Sequence, residues 1–415
     1  MRIFFSVGEP SGDLHGANLI RALSQRHPQC QFMGYGGPKM QAAGCQLHFD
    51  LTQLSVMWLG QALANYPKFK RLVNQADEYF RSDDRPDAVV LIDYPGFNWH
   101  IARAAKAAGI PVIYYGTPQL WAWAPWRVKK MRRYVDHVLC KLPFEEKWFR
   151  DRECHATFVG HPYFDELESR QLDSTFIDRL QTDKRPLVTI LPGSRTQEVK
   201  SNLAPFLAAA KLIRKELPNV RFAVALFKES HRQLAQSLID QSDANLNGVD
   251  AELYIARTPE LIHAAECCLA CSGSVSLELL YHTKPTVILY QISRLGFFVQ
   301  RFLRKVRYIT LVNLLTAKDP LAEARAGHYH PADPRDAHVL MPEYLTCTDR
   351  TPDLATHIIE WLRSDLARDE NIRGLTRLKA QVGHGGASLR AAAYIGELLT
   401  AKNQPLVHNP PRRAA

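Results

Sequence analysis

Short apolar runs alternate with helical patterns through the first third of this chain, and the same alternation restarts after Asp183-Lys184-Arg185-Pro186. That rhythm admits few architectures, because strands that follow one another through crossover helices run parallel and are buried on both faces. The spacing predicts strands over residues 2–7, 88–92 and 112–115, shorter ones over 135–139 and 157–159, and helices over 14–26 and 99–108. After the restart it predicts strands over 187–191, 221–227, 253–255, 267–271 and 286–290, with helices between them. The fold class is therefore α/β, with two doubly wound Rossmann-like domains in tandem. The joint falls in the polar stretch between Gly160-His161-Pro162 and Pro186, which places the domains at 1–166 and 167–374. Helical patterns over 352–363 and 375–399 add no strand. A C-terminal helix over 375–402 is expected to cross back onto the first domain, and residues 403–415, with Pro405, Pro410 and Pro411, read as a disordered tail.

A chain of 415 residues is long enough for two cores. No apolar stretch reaches the ~18 to 20 residues needed to span a bilayer, and the N-terminal run is too short for a signal-peptide core, so a cytoplasmic location is expected. The formal net charge of +10 implies attraction to polyanions: nucleic acid, an anionic membrane surface or phosphorylated substrates. The basic residues gather near apolar ones. Lys68, Lys70 and Arg71 follow Val56-Met57-Trp58-Leu59 and interleave with Tyr66 and Phe69, and residues 294–307 alternate large apolar with cationic side chains at helical spacing. Such a pattern suits a helix lying in a membrane interface, or a core helix with a solvated basic face. Nucleic acid is the weaker reading of the charge, since neither an aromatic RNA-binding motif nor a long basic run is present. Eight cysteines form no regular framework; Cys268 and Cys271 lie in an apolar strand candidate and read as buried thiols rather than a metal or redox pair.

Two glycine-bearing corners carry the functional message of the second domain. Leu191-Pro192-Gly193-Ser194-Arg195, with Glu198, follows one predicted strand, and Ser272-Gly273-Ser274, with Glu278, follows another. Free N–H groups at a helix start favour phosphate, and glycine allows close approach. Arg195 adds a planar cationic fork suited to a diphosphate, and Glu278 a carboxylate able to accept from ribose hydroxyls. Neither corner fits the dinucleotide fingerprint or the Walker loop, so a plain strand-to-helix turn remains the alternative for each. Together they describe a nucleotide-diphosphate site.

In the first domain, Gly8-Glu9-Pro10-Ser11-Gly12-Asp13-Leu14-His15-Gly16 follows the first strand and opens a helix. It reads as a capped loop or, at the carboxyl end of a central strand, as a ligand-binding turn. Asp93, in Asp93-Tyr94-Pro95-Gly96-Phe97-Asn98, ends a strand at the same edge, where a carboxylate suits a general base; a turn-forming aspartate is the alternative. Aromatic residues crowd the next strand end, through Gln119-Leu120-Trp121-Ala122-Trp123.

Taken in order, these segments resemble motifs of the lipid-A-disaccharide synthase family: Gly8-Glu9-Pro10-Ser11-Gly12-Asp13-x-His15-Gly16-Ala17, Asp93 to Asn98, Pro118 to Trp123, Val159-Gly160-His161-Pro162, Leu191 to Arg195 with Glu198, and Ser272-Gly273-Ser274-x-x-Leu277-Glu278. The resemblance implies the GT-B architecture and an inverting transfer of diacylglucosamine from UDP-diacylglucosamine to diacylglucosamine 1-phosphate, giving a β-1,6 disaccharide. By the same resemblance Asp93, Arg195 and Asn313 are the catalytic candidates. Gly193, Ser194, Arg195, Ser272, Gly273, Ser274 and Glu278 would hold the UDP donor, and Ser11, Gly12, Asp13, His15, Asn98 and Gln119 the acceptor. No cofactor is implied. The chain has no Asp-x-Asp, so a helix-dipole mechanism is expected rather than a metal-bridged diphosphate. Peripheral attachment to the inner face of the inner membrane is implied, and a homodimer is compatible. Another GT-B UDP-sugar glycosyltransferase or a UDP-sugar 2-epimerase is the enzymatic alternative; a non-catalytic protein binding anionic lipid or nucleic acid is the remote one.

Overall fold

The computed structural model describes residues 1–55, 66–241, 251–321 and 327–402, so the expectations for the segment 56–59 and the tail 403–415 lie outside the described residues. The chain divides into two compact units, one of Met1–Glu166 together with the chain from Gly385, the other Leu167–His384.

In the first unit the strands are β1 (Arg2–Val7), β2 (Gln31–Gly36), β3 (Cys45–Asp50), β4 (Ala88–Ile92), β5 (Val112–Tyr115), β6 (His137–Cys140) and β7 (Ala156–Phe158), all parallel. Their order is β3-β2-β1-β4-β5-β6-β7. The direction of winding reverses between β1 and β4, where Val7 registers with Ile92, so the turns that follow these strands are neighbours. β2 and β3 escape the sequence pattern because β2, Gln-Phe-Met-Gly-Tyr-Gly, has two glycines and no β-branched residue. Gly34 is required there: its φ is +132°, and a Cβ would lie 2.1 Å from the Phe5 carbonyl oxygen.

Two helices begin earlier than predicted, at Pro10 rather than residue 14 and at Pro95 rather than residue 99. Proline suits a first helical turn, whose N–H groups have no intrahelical partner. Ser11, Gly12 and Asp13 therefore belong to a helix and not to a loop.

The predicted helix over 375–402 is two helices, Asp365–Val382 in the second unit and Ala387–Lys402 in the first. Gly383, Gly385 and Gly386 separate them, and Gly386, just before the last helix, has a φ of +81° outside helical geometry. The last helix presents Ala391, Ala392, Ile395 and Leu399 to the first core, beside Ala17, Leu19, Ile20 and Leu23. Burying Ile395 and Leu399 contributes about 3–6 kcal/mol, at roughly 1.5–3 kcal/mol each. Its start is capped by Asp165, whose carboxylate accepts from the N–H of Ala387 at 2.9 Å and of Ser388 at 2.8 Å.

The second unit has β8 (Leu187–Leu191), β9 (Arg221–Leu226), β10 (Ala251–Ile255), β11 (Cys267–Cys271), β12 (Thr286–Gln291) and β13 (Glu343–Thr346), in the order β10-β9-β8-β11-β12-β13. The winding reverses between β8 and β11, where Ala270 registers with Leu191. Both glycine corners leave the same sheet edge side by side, a neighbourhood set by topology and not by separation in sequence. β13 carries a buried glutamate in a four-residue strand, a pattern no strand signal marks. Cys268 and Cys271 are buried free thiols, and burial pushes each up to about 12.

Candidate active site

At the switch point of the first sheet, Asp93 and Tyr94 both have φ of +45°, two consecutive non-glycine residues in left-handed conformation. Such geometry costs on the order of 1–3 kcal/mol per residue and persists only where surroundings hold it. They do so here. The Asp93 carbonyl accepts from the Tyr114 hydroxyl at 2.6 Å and from Asn98 Nδ2 at 2.8 Å, while its N–H donates to the Gly116 carbonyl at 3.1 Å. The Tyr94 ring lies across Gly8, where a Cβ would fall 2.2 Å from the ring. This frame presents a half-buried carboxylate at the sheet edge. Asp93 Oδ1 meets Lys141 Nζ at 3.1 Å, with the Asp93 side chain 22% exposed and that of Lys141 13% exposed.

Several residues expected to touch the acceptor instead build this frame. Asn98 is fully buried, accepting from the Ser6 hydroxyl at 2.6 Å and donating to the carbonyls of Ser6 and Asp93. Asp13 is buried too, and its carboxylate accepts from the N–H groups of Gly37, Lys39 and Met40, capping the helix Pro38–Ala42. Gly12 packs against Val7, where a Cβ would lie 2.9 Å from a valine methyl. These three hold the backbone of the turns: an amide, a carboxylate and a glycine are what such a turn needs. Ser11 and Gln119 are exposed.

His15 is buried, its Nδ1 has no hydrogen-bond partner among the described residues, and desolvation followed by the charges of Lys141 and Lys39 lowers it to about 3. His161 lies with its ring 6.3 Å from that of His15 and is likewise held well below the usual imidazole range, first by burial and then by Lys141 and His15. Both are neutral at physiological pH. The sequence reading missed His161 as a site residue and Lys141 altogether. The signal for Lys141 was present, since it is the first residue after an apolar strand, at the carboxyl edge where open α/β sheets bind ligands.

In the second unit the two glycine corners differ. At the first, the Glu198 carboxylate turns back on its own helix start and accepts from the N–H of Ser194 at 3.0 Å and of Arg195 at 3.1 Å. The N–H groups of Ser194 and Arg195, expected at a phosphate, are occupied here by a side-chain anion. The reason is the capping relation of a glutamate at the third helical position. Gly193, at φ +125°, makes room for it: a Cβ there would lie 2.4 Å from Glu198 Cβ. The Arg195 guanidinium remains 77% exposed and touches Glu198 at 3.3 Å.

The second corner is open. Gly273 and Ser274 are exposed, and nothing lies within 4 Å of where a Cβ on Gly273 would stand. The Ser272 hydroxyl donates to the Ile309 carbonyl at 3.3 Å. Glu278, expected at the ribose, is buried and paired with Arg170. Asn313, expected among the catalytic groups, is fully buried: Nδ2 donates to the Met341 carbonyl at 2.7 Å and to Glu343 Oε2 at 3.0 Å, and Oδ1 accepts from Met341 N–H at 3.1 Å. Glu343 also accepts from the N–H groups of Ile309 at 2.7 Å and Thr310 at 2.9 Å. Asn313 and Glu343 together fasten the segment 309–313 to the edge strand β13. In both Asn313 and Glu278 the polar side chain is engaged within the protein, satisfying buried backbone or charge.

Two parallel, doubly wound units in tandem, each with its switch-point turns at the carboxyl edge, make the GT-B architecture. Solved structures bear out the fold. An S. aureus MnaA–UDP co-structure superposes with a TM-score of 0.63 at 12% identity over 97% of this chain and 98% of that one. The UDP-GlcNAc 2-epimerase from Neisseria meningitidis bound to UDP-GlcNAc gives 0.58 at 14% identity over 97% and 100%, and the glycotransferase of kitacinnamycin 0.56 at 16% over 95% and 98%. Within that class the sequence is specific. The family model for lipid-A-disaccharide synthetase matches residues 3–341. The lipid-A-disaccharide synthase of Myxococcus xanthus is 32% identical over 399 residues, 96% of this chain and 97% of that protein. That of Coxiella burnetii is 32% identical over 403 residues, 96% and 98%. The chain belongs to the lipid-A-disaccharide synthase family.

Proposed function

We propose that this enzyme transfers 2,3-diacylglucosamine from UDP-2,3-diacylglucosamine to the 6-hydroxyl of 2,3-diacylglucosamine 1-phosphate, forming a β-1,6-linked disaccharide and releasing UDP. The family match across residues 3–341 carries the reading. In a single displacement the acceptor hydroxyl attacks the anomeric carbon from the face opposite the diphosphate, so the centre inverts. Asp93 takes the hydroxyl proton as the new C–O bond forms, which favours attack because an alkoxide-like oxygen is the better nucleophile. The bond to UDP breaks in the same step, and charge grows on the departing diphosphate. The open turn at Gly273 and Ser274 offers it backbone N–H groups, and the exposed Arg195 guanidinium offers a charge-assisted fork. Donor binding is assigned to these groups, with Ser272 fixing the turn and Glu198 fixing Arg195.

The attachment we assign is to an anionic membrane surface at the inner face of the inner membrane. No described helix is long and apolar enough to cross a membrane. Supporting peripheral attachment, the helix Arg294–Leu303 exposes Leu295, Phe298, Val299, Phe302 and Leu303 at spacings of three and four residues, and buries Gln300. This is a full amphipathic stripe turned outward, with exposed Arg294 and Lys305 near its ends.

Mass spectrometry of products formed from the two lipid substrates tests the transfer. A disaccharide phosphate with stoichiometric UDP is expected. A 2-epimerised UDP-sugar without disaccharide would move the chain to the chemistry of its epimerase neighbours.

A further inference from the structure

We infer that Lys141 is a positioning residue for Asp93: its ammonium holds Oδ1 and fixes the carboxylate, leaving Oδ2 to take the proton of the attacking hydroxyl. The inference rests on the reading of Asp93 as the base.

The geometry is specific. Lys141 follows β6, Asp93 follows β4, and β5 runs between them. The lysine side chain crosses the end of that intervening strand over Gly116, passing 3.7 Å from where a side chain there would begin. Its backbone is pinned, since the N–H groups of Lys141 and Leu142 donate to the buried Glu145 carboxylate at 2.9 and 3.0 Å, and Trp121 Nε1 donates to the other oxygen at 2.9 Å. A long, rotamer-rich side chain is thereby delivered from a rigid start to a single contact, Nζ on Oδ1 at 3.1 Å. Asp93 Oδ2 has no hydrogen-bond partner among the described residues. One oxygen is restrained and the other is available, which is the arrangement a base needs.

The charges around the pair support this. Glu9, from the turn before the helix Pro10–Arg26, and Glu145, from the helix Pro143–Arg150, act on Lys141 together with Asp93 and hold the ammonium above the ordinary lysine value against its own burial. His15 and His161 are neutral, and burial raises the Tyr94, Tyr114 and Tyr115 hydroxyls, so these five bring no charge at neutral pH. Among the described residues Lys141 is the cation paired with Asp93. Replacing it by a neutral side chain removes both the restraint on Oδ1 and the opposite charge beside the base.

The test compares pH profiles of kcat/KM for the full-length enzyme and for Lys141→Met and Lys141→Arg, with UDP binding by calorimetry as the check on folding. For Lys141→Met the acidic limb is expected to move up by about one pH unit or more, with turnover at pH 7 down about tenfold or more and UDP affinity unchanged. Lys141→Arg is expected to restore the limb. An unmoved limb in Lys141→Met overturns the inference, and so does a raised acceptor KM at unchanged kcat, which would make Lys141 a substrate ligand. If Lys141→Met does not fold, Lys141→Gln carries the same readout. Asp93→Asn separates the two levels: full turnover in that variant removes the base reading itself, whereas an inactive Asp93→Asn beside an unmoved limb in Lys141→Met removes only the role of the lysine.

Discussion

Each sheet brings a glycine-bearing turn and a carboxylate together at its switch point, yet the two units sort them in opposite ways. In the first unit the acid is presented: Asp93 stands at the edge in a left-handed conformation, while Gly8 lies under the Tyr94 ring. In the second unit the acids are withdrawn. Glu198 caps its own helix and Glu278 is buried against Arg170, while the turn at Gly273 is open. One topology thus presents a carboxylate in one unit and an open turn in the other, and the outcome turns on whether a turn's own helix supplies an internal anion. The same test divides the two glycine corners of the second unit from each other.

The largest effect expected on this contrast is from Asp93→Ala. Turnover falls by roughly 10²- to 10⁴-fold, the usual contribution of a general base, while calorimetric UDP affinity stays within about twofold. Weak UDP binding in that variant would place Asp93 at the wrong edge. Next come the two glycines, compared by thermal or urea unfolding. Gly193→Ala, at φ +125° and against Glu198, is expected to destabilise by about 2–4 kcal/mol. Gly273→Ala, entering open space, changes stability by less than about 0.5 kcal/mol and instead weakens UDP binding. Equal destabilisation at both positions would erase the distinction between a filled turn and an open one. Arg195→Ala is expected to cost about 1.5–3 kcal/mol of UDP binding, a charge-assisted contact, with slower transfer; unchanged affinity would remove the guanidinium from the diphosphate. The last effect concerns acid in the first unit. His15 is lowered to about 3 in the fold from an ordinary value near 6.5, so the folded state binds fewer protons than the unfolded chain. Its contribution is present above pH 6.5 and is lost as pH falls toward 3, at up to about 1.4 kcal/mol per pH unit. A His15→Gln variant should show a flatter loss of stability between pH 6.5 and 5; an identical slope would assign the acid sensitivity elsewhere.

Much of the fold was legible from the chain. The βαβ rhythm marked β1, β4, β5, β8 and β11 to the residue, because strands buried on both faces are continuous apolar runs. The strands it missed, β2, β3 and β13, are those with glycine, alternation or a buried acid, whose pairing comes from neighbours. The site was legible as a set of positions but less so as a set of roles. Ser194, Asp13, Asn98, Glu278 and Asn313 all lie in the expected motifs, and each except Ser194 is a buried side chain engaged within the protein; at Ser194 it is the backbone N–H that is engaged, by Glu198.

The sequence by itself determined the tandem α/β class, the family and the two edges at which chemistry is placed, since apolar periodicity and glycine turns act locally and survive without tertiary context. Only the tertiary structure decided which groups at those edges are free. Whether a carboxylate faces a ligand or a backbone N–H depends on strand order and on partners far away in the chain: Lys141 reaches Asp93 past an intervening strand, and Arg170 reaches Glu278 across 108 residues. Buried polar groups are satisfied by whatever the fold brings within hydrogen-bond reach, and that reach is not written in any local motif.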